Sequence, residues 1–225
     1  RPFPVAQPIV LGHEGAGVIE AIGSAVTQFQ LGQRVVLSFN HCQTCASCLK
    51  HAPSYCQYFF GRNFLGQRPD GSTGLSRNGE PVRHHFFGQS SFASHCLVTE
   101  TNVVPVPEEV SDELFLMLGP LGCGLQTGAG AMFNVLKPEV ANSVVVFGSG
   151  AVGMAAIMAA KAMGATTIVA VDRVASRLQL AQTLGATHGV LAQESDLKEN
   201  IKHICGGGAD VSLDTTAHPD VLRMA

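Results

Sequence analysis

Apolar positions change period near the middle of the chain. Up to about residue 107 they come in short runs broken by glycine, proline and polar turns. Residues 10–22 are apolar but carry Gly12, Gly15 and Gly17, with Gly23 just beyond. Glycine within a strand marks a bulge, a bend or a close backbone approach. Residues 34–39 predict a second short strand, and residues 94–98 and 102–106 predict two more, with Pro105 and Pro107 marking an edge or an exit. Residues 40–58 read as a cysteine-rich loop. Residues 61–85 are polar, with turn signals at Asp70-Gly71 and Asn78-Gly79.

The second half is periodic. A helical stretch over residues 111–135 is interrupted at Gly119-Pro120 and Gly122. Strands are predicted at 144–147, 167–171, 190–191 and 211–213. Between them lie helices at 151–163, 175–184 and 196–204, stopped by Gly164, by Gly185 and by Gly206-Gly207-Gly208. Pro219 suits the first turn of a further helix. Such alternation implies a parallel sheet with helices on both faces. The chain is expected to be mixed α/β, with one domain over residues 1–118 and a second over 119–225.

The loop carries the most specific chemistry. Cys42, Cys45, Cys48 and Cys56 are separated by two, two and seven residues. Thiolates bind Zn²⁺ at about 2.3 Å in closed tetrahedral sites, and closed four-sulfur sites are structural. Two disulfides are the alternative, but successive CxxC pairs partner poorly and nothing else here resembles a small secreted scaffold. A redox CxxC needs two cysteines beside a thioredoxin-like βαβ pattern, not four in one loop. The count of seven cysteines leaves Cys96, Cys123 and Cys205 outside the loop, which suggests a reducing compartment and a cytoplasmic protein.

In the periodic half, Gly148-Ser149-Gly150-Ala151-Val152-Gly153 fits GxGxxG. It follows an apolar strand, opens a helix, and is followed 19 residues later by Asp172 at the end of the next strand. This context makes it a dinucleotide fingerprint. Gly148 serves the tight turn, Gly150 the approach of the pyrophosphate, and Gly153 the packing of the helix. Asp172 would accept ribose hydroxyls and favour NAD, with Arg173 beside it to soften the exclusion of NADP. A glycine-rich turn in an unrelated α/β domain is the plainer alternative. His13, in Gly12-His13-Glu14-Gly15, and Cys123, in Gly122-Cys123-Gly124, are each ambiguous alone: one as a structural histidine, the other as a small buried hydrophobe. Beside a zinc loop and a nucleotide fold they form a candidate pair for a second ion. A catalytic zinc keeps three protein ligands, so a third is expected upstream of Arg1.

Composition narrows the partners. The net charge is −3 with no basic run, against nucleic acid. No run of about 18 apolar residues is present, so no transmembrane helix is expected. The first residue is Arg1 and the last Ala225, inside an expected helix, and the sequence reads as a central fragment.

Taken in order, these motifs resemble the zinc-dependent medium-chain dehydrogenase/reductases, the zinc alcohol dehydrogenases, over all 225 residues. The carrying residues are Gly12-His13-Glu14 with Gly17, Gly23 and Val26, the four cysteines, Gly122 to Gly128, and Gly148 to Gly153. The stretches Asp70-Gly71-Ser72-Thr73 and His85 to Ala93 look most like aryl-alcohol (benzyl-alcohol) dehydrogenases, and glutathione-dependent formaldehyde dehydrogenases carry a related stretch. Gln43 stands where the family usually has glycine. Leu31-Gly32-Gln33 replaces its Pro-Gly-Asp turn.

The resemblance implies a GroES-like β-barrel catalytic domain and a Rossmann doubly wound sheet, both truncated, with the active site between them. It implies His13 and Cys123 on a catalytic zinc with Glu14 beside it, and Cys42, Cys45, Cys48 and Cys56 on a structural zinc. Thr127 would lie near the nicotinamide, and Gly148, Gly150, Ala151, Val152, Gly153, Asp172 and Arg173 would bind NAD. The implied reaction oxidises a primary aromatic alcohol to its aldehyde, with hydride passing to NAD. Phe39 is a candidate pocket residue, or ordinary core. A small-molecule alcohol is the implied partner, with neither nucleic acid nor membrane, and the complete protein would be a homo-oligomer. The rivals are another alcohol, polyol, threonine or formaldehyde dehydrogenase of the superfamily, and a non-catalytic zinc-stabilised nucleotide-binding module.

Overall fold

The computed structural model describes residues 5–193 and 195–225. They divide into two compact units, one ending at Cys123 and the other running from Gly124 to Ala225.

The first unit is built on short strands. β1 (Ala16–Val18), β2 (Arg34–Leu37) and a later strand form an antiparallel sheet. Two short helices, α1 (Ala46–Leu49) and α2 (Phe59–Phe64), lie in and just after the cysteine loop. β3 (Leu75–Arg77) and β4 (Glu80–Val82) form a hairpin across Asn78-Gly79, both at positive φ, as a two-residue primed turn requires. β5 (Val103–Pro105) completes the sheet in the order β1-β2-β5. Pro105 is thereby confined to an edge strand, where a missing N–H is tolerated.

Two expectations need correction here. Residues 10–22 yield a strand only at Ala16–Val18, and residues 94–98 form none. A strand is defined by its ladder, and no neighbouring strand pairs with residues 94–98 among the described residues. The turn at residues 30–33 survives without its family proline. Gly32 sits at φ +79, and its N–H donates to the Ile19 carbonyl at 2.9 Å. After β5, α3 (Asp112–Phe115) is capped by the Ser111 hydroxyl, and a 3₁₀ turn at Gly119–Gly122 leads to Cys123.

The second unit opens with α4 (Gly124–Gly130), extended by a π-helical turn at Ala131–Leu136. Then follow β6 (Ser143–Phe147), α5 (Ala151–Ala162), β7 (Thr167–Asp172), α6 (Ala175–Leu184), β8 (His188–Leu191), α7 (Leu197–Ile204), β9 (Val211–Asp214) and α8 (Pro219–Met224). The sheet is parallel, in the order β8-β7-β6-β9. Every residue of β6 is buried, and alternate residues feed two cores. Val144 and Val146 pack with Met132, Ile157 and Leu178, while Val145 and Phe147 pack with Val190, Leu197 and Ile201. Burial on both faces explains an unbroken valine run rather than alternation. Chain order reverses direction between β6 and β9, the switch point at which open α/β sheets bind ligands.

Small residues set how closely these layers approach. A Cβ on Gly128 would stand 1.9 Å from the Val152 carbonyl oxygen, so α4 meets α5 through bare backbone. Gly128→Ala is therefore expected to destabilise the second unit by about 3 kcal/mol, at the upper end for overpacked cores. Urea unfolding followed by circular dichroism measures this, and a change below about 0.5 kcal/mol contradicts the close approach.

Candidate metal and nucleotide sites

The four loop cysteines come together. All are free, and their sulfurs lie within 4.8 Å of one another, with Cys42 and Cys48 at 3.8 Å. A tetrahedron with 2.3 Å metal–sulfur bonds has edges of about 3.8 Å, so the donor set fits a zinc ion. The loop also prepares a thiolate. Thr44 and Cys45 donate backbone N–H bonds to Cys42 Sγ at 3.4 and 3.2 Å. Burial raises the Cys42 pKa, but these bonds outweigh it and bring the pKa to about 5. Burial and the neighbouring Cys45 thiol push Cys48 up to about 12. With four sulfurs within 4.8 Å of one another, holding all of them as thiolates needs a cation to offset their repulsion.

Gln43 lies between Cys42 and the residues that donate these N–H groups. It occupies the left-handed region at φ 62, where a side chain is disfavoured by about 1 kcal/mol. Glycine at this position relieves that strain.

The second cluster is assembled over a long sequence distance. His13 Nε2 lies 3.1 Å from Cys123 Sγ, 110 residues away, and the Glu14 carboxylate joins them within 4.8 Å. A tetrahedral zinc with ordinary bond lengths would hold such N and S donors about 3.5 Å apart, so nitrogen, sulfur and oxygen here fit an ion with a modest opening of the pair. Burial raises the Cys123 pKa, and the Glu14 carboxylate adds to it.

Backbone contacts bring the pair together. A Cβ on Gly119 would meet the Glu14 carbonyl oxygen at 2.7 Å, and one on Gly122 would meet that of Leu37 at 2.9 Å. The 3₁₀ turn thus lies directly on the His13 loop and on β2. Gln89, 1% exposed, donates from Nε2 to the carbonyls of both His13 and Ser38 at 3.1 Å. Sequence reasoning missed Gln89, Gly119 and Gly122 as site-builders, because no local pattern distinguishes a buried amide or a contact glycine from any other.

An aromatic wall stands beside His13. Its ring lies 4.8 Å from that of Phe87 and 6.0 Å from that of Phe86. Phe64 and Phe59 follow, and Phe39 lies tilted against Phe59 at 5.4 Å. Phe87 reaches His13 from a left-handed backbone at φ 53, in a segment where His85 and Ser90 are also at positive φ. A cavity of about 800 Å³ in this unit lies elsewhere, lined by Arg62, Arg68 and His85 and by neither His13 nor Cys123. Donor chemistry, not cavity volume, marks the His13 cluster as the candidate metal site.

In the second unit the phosphate loop divides its labour as the motif implies. Gly148 turns at φ +90; Gly153 is pressed so close to the Gly148 carbonyl that a Cβ would lie 1.8 Å from it; a Cβ on Gly150 would meet nothing within 4 Å. Gly150 begins α5 with no side-chain cap, leaving first-turn N–H groups free for an anion. An uncapped helix end above an open glycine fits a pyrophosphate. Ala151 is exposed and Val152 half-buried at the start of α5. Asp172 is buried at the end of β7, Arg173 is exposed beside it, and Thr127 is exposed on α4.

Two substitutions check the loop. Gln43→Gly is expected to stabilise the first unit by about 0.5–1 kcal/mol. Cys45→Ser is expected to release the loop metal, whose binding in small zinc peptides is worth about 10–16 kcal/mol. Chelator-competition and urea titrations read these effects, and a Cys45→Ser protein that holds its metal as tightly as wild type contradicts the four-sulfur assignment.

Comparison with known proteins agrees with this geometry. Residues 2–108 match the model of the alcohol dehydrogenase GroES-like domain, and residues 151–225 that of the zinc-binding dehydrogenase domain. The chain is 48% identical over 225 residues to a geraniol dehydrogenase of Castellaniella defragrans, covering 99% of this chain and 60% of that protein. It is 42% identical to a probable alcohol dehydrogenase of a Pseudomonas species, covering 100% of this chain and 70% of the relative. The crystal structure of benzyl alcohol dehydrogenase from Acinetobacter calcoaceticus superposes with a TM-score of 0.88 at 49% identity, over 99% of this chain and 59% of that one. The chain thus spans about 60–70% of the length of these relatives. With both domain types in order and both donor clusters formed, this chain belongs to the zinc-dependent alcohol dehydrogenase family of medium-chain dehydrogenase/reductases.

Proposed function

We propose that this chain carries metal- and cofactor-binding parts of an NAD-dependent zinc alcohol dehydrogenase that oxidises a primary aromatic alcohol to its aldehyde. On this reading residues 1–118 are catalytic-domain sequence and residues 119–225 bind the nucleotide. Cys42, Cys45, Cys48 and Cys56 hold a structural zinc. His13 and Cys123, with Glu14 beside them, hold a catalytic one. When bound there, zinc supplies Lewis acidity toward an alcohol oxygen, and NAD supplies the hydride acceptor.

The protein's own residues do the rest. His13 Nε2 and Cys123 Sγ offer one nitrogen and one sulfur donor. Gln89 keeps the His13 backbone in place. Phe86 and Phe87 exclude water from the side of His13 and offer an edge-and-face environment to a planar ring. The first turn of α5 receives the pyrophosphate, Asp172 accepts ribose hydroxyls, and Thr127 is assigned to the nicotinamide end.

The observation that carries the aromatic assignment is the ring wall on His13, with Phe87 at 4.8 Å and four further phenylalanines continuing it. The benzyl alcohol dehydrogenase likeness supports the same reading, while the geraniol dehydrogenase likeness supports alcohol oxidation without the aromatic preference.

In a protein of its relatives' length carrying this chain, kcat/KM with NAD is expected to be higher for benzyl alcohol than for geraniol, sorbitol or S-(hydroxymethyl)glutathione. Phe87→Ala is expected to lower the benzyl alcohol value about tenfold, as loss of one aromatic contact of about 1.4 kcal/mol does. A higher value for S-(hydroxymethyl)glutathione sinks the aromatic reading. Residues 1–225 alone are expected to retain about one tightly bound zinc, on the loop, and no turnover. Among the described residues the His13 cluster offers Glu14 beside His13 and Cys123; on this reading Glu14 stands beside the ion rather than on it, which leaves two of the three protein ligands of a catalytic zinc.

A further inference from the structure

Both carboxylate oxygens of Asp172 are engaged within the chain itself. Oδ2 accepts from the Ser149 N–H at 2.7 Å, and Oδ1 accepts from the Val174 N–H at 2.9 Å. The first bond spans 23 residues, from the exit of β7 to the middle of the phosphate loop. The second sets the turn into α6. Arg177 Nη1 stands 3.9 Å from Oδ2. Asp172 is 8% exposed and Ser149 2%, so the Ser149 N–H depends on this carboxylate rather than on solvent. Loss of this partner would leave a buried donor unsatisfied, which is unfavourable.

The neighbouring loop residue is held by other means. The Gly148 N–H donates to the Val171 carbonyl at 2.8 Å, and the Thr215 hydroxyl donates to the Gly148 carbonyl at 3.1 Å. Beyond Gly148, the Asp172 bond is the anchor that fixes the peptide leading to Gly150 and the first turn of α5.

We propose that Asp172 is a positioning residue for the phosphate loop: it braces Ser149 so that the start of α5 presents its N–H groups to a pyrophosphate, in addition to accepting ribose hydroxyls. This rests on the NAD-binding reading above and deepens it. An acid at this position is ordinarily credited with repelling the 2′-phosphate of NADP, so that a neutral replacement admits NADP. Here the replacement also removes the brace. Asparagine has one acceptor oxygen and one NH₂ group. Whichever way its amide is turned, one of the two backbone N–H groups faces a donor. Asp172→Asn therefore weakens dinucleotide binding as a whole instead of exchanging one cofactor for the other.

The test compares wild type with Asp172→Asn and Asp172→Ser, measuring binding of NADH, NADPH and inorganic pyrophosphate together with residue-resolved amide exchange. Pyrophosphate has no ribose, so it reports on the loop alone. Asp172→Asn is expected to weaken NADH about tenfold or more, to leave NADPH no tighter than in wild type, and to weaken pyrophosphate several-fold. The Ser149 amide is expected to exchange at least tenfold faster while the β6 and β9 amides keep their protection. Unchanged pyrophosphate binding and Ser149 exchange, with NADPH binding improved, overturns the proposal and leaves Asp172 a ribose contact only. A uniform loss of protection across the sheet also overturns it, as a fold-wide effect. If the wild-type chain binds neither dinucleotide, the NAD reading fails, and Ser149 exchange still decides the brace.

Discussion

The His13–Glu14–Cys123 donor cluster depends on one contact, the 3.1 Å approach of His13 Nε2 to Cys123 Sγ across 110 residues. Neither residue reaches the other by its own side chain alone. The approach is made by the backbone, which needs positions without a Cβ. Gly119 and Gly122 let the turn before Cys123 lie on Glu14 and Leu37, and Gly12 lies against the backbone of Ser91 and Phe92. Gln89 joins His13 to the end of β2, its buried amide donating to the carbonyls of His13 and Ser38. The strained segment from His85 to Ser90 then delivers Phe87 to the same histidine. Residues at positive φ without glycine are costly and concentrate where a site demands a particular direction.

The cysteine loop works differently. Its four donors lie within 15 consecutive residues, so closing it asks little of the rest of the fold. N–H bonds from Thr44 and Cys45 stabilise one thiolate before any ion arrives. The energy that orders such a loop is the metal's binding energy, because apolar burial inside it is slight. Gln43 in the left-handed region shows that the turn is imposed by the donor geometry and not chosen by the residue.

The second unit rests on a central strand. β6 is buried on both faces and pairs with β7 on one side and β9 on the other. The loop leaving it is held by elements from both directions: Asp172 from β7, and Thr215, just past β9, whose hydroxyl donates to the Phe147 and Gly148 carbonyls. Anchoring at the point where strand order reverses keeps the start of α5 directed outward from the sheet.

Most elements of the periodic half were legible, to within a residue or two at their ends. The helix at Ala175–Leu184 and its Gly185 stop, the strands at 144–147 and 167–171 and the Pro219 helix are local consequences of period, capping and glycine placement. The candidate donor residues could be picked out in the same way, because metal and phosphate chemistry restrict residue type and spacing. The first half was less legible: the expected strand at 94–98 is absent, and the hairpin β3–β4 and the helix α1 went unread behind turn signals and cysteines. Short strands draw their stability from partners far along the chain, and those partners are not written in their own composition. The sequence by itself determined which residues are candidate zinc donors and where the GxGxxG loop lies. Only tertiary structure decided that His13 meets Cys123, that Gln89 carries their loop, that Phe87 turns to His13 and that Asp172 reaches back to Ser149. Each of these is a contact between residues that nothing in local periodicity relates, fixed by backbone packing and by the need to satisfy buried polar groups.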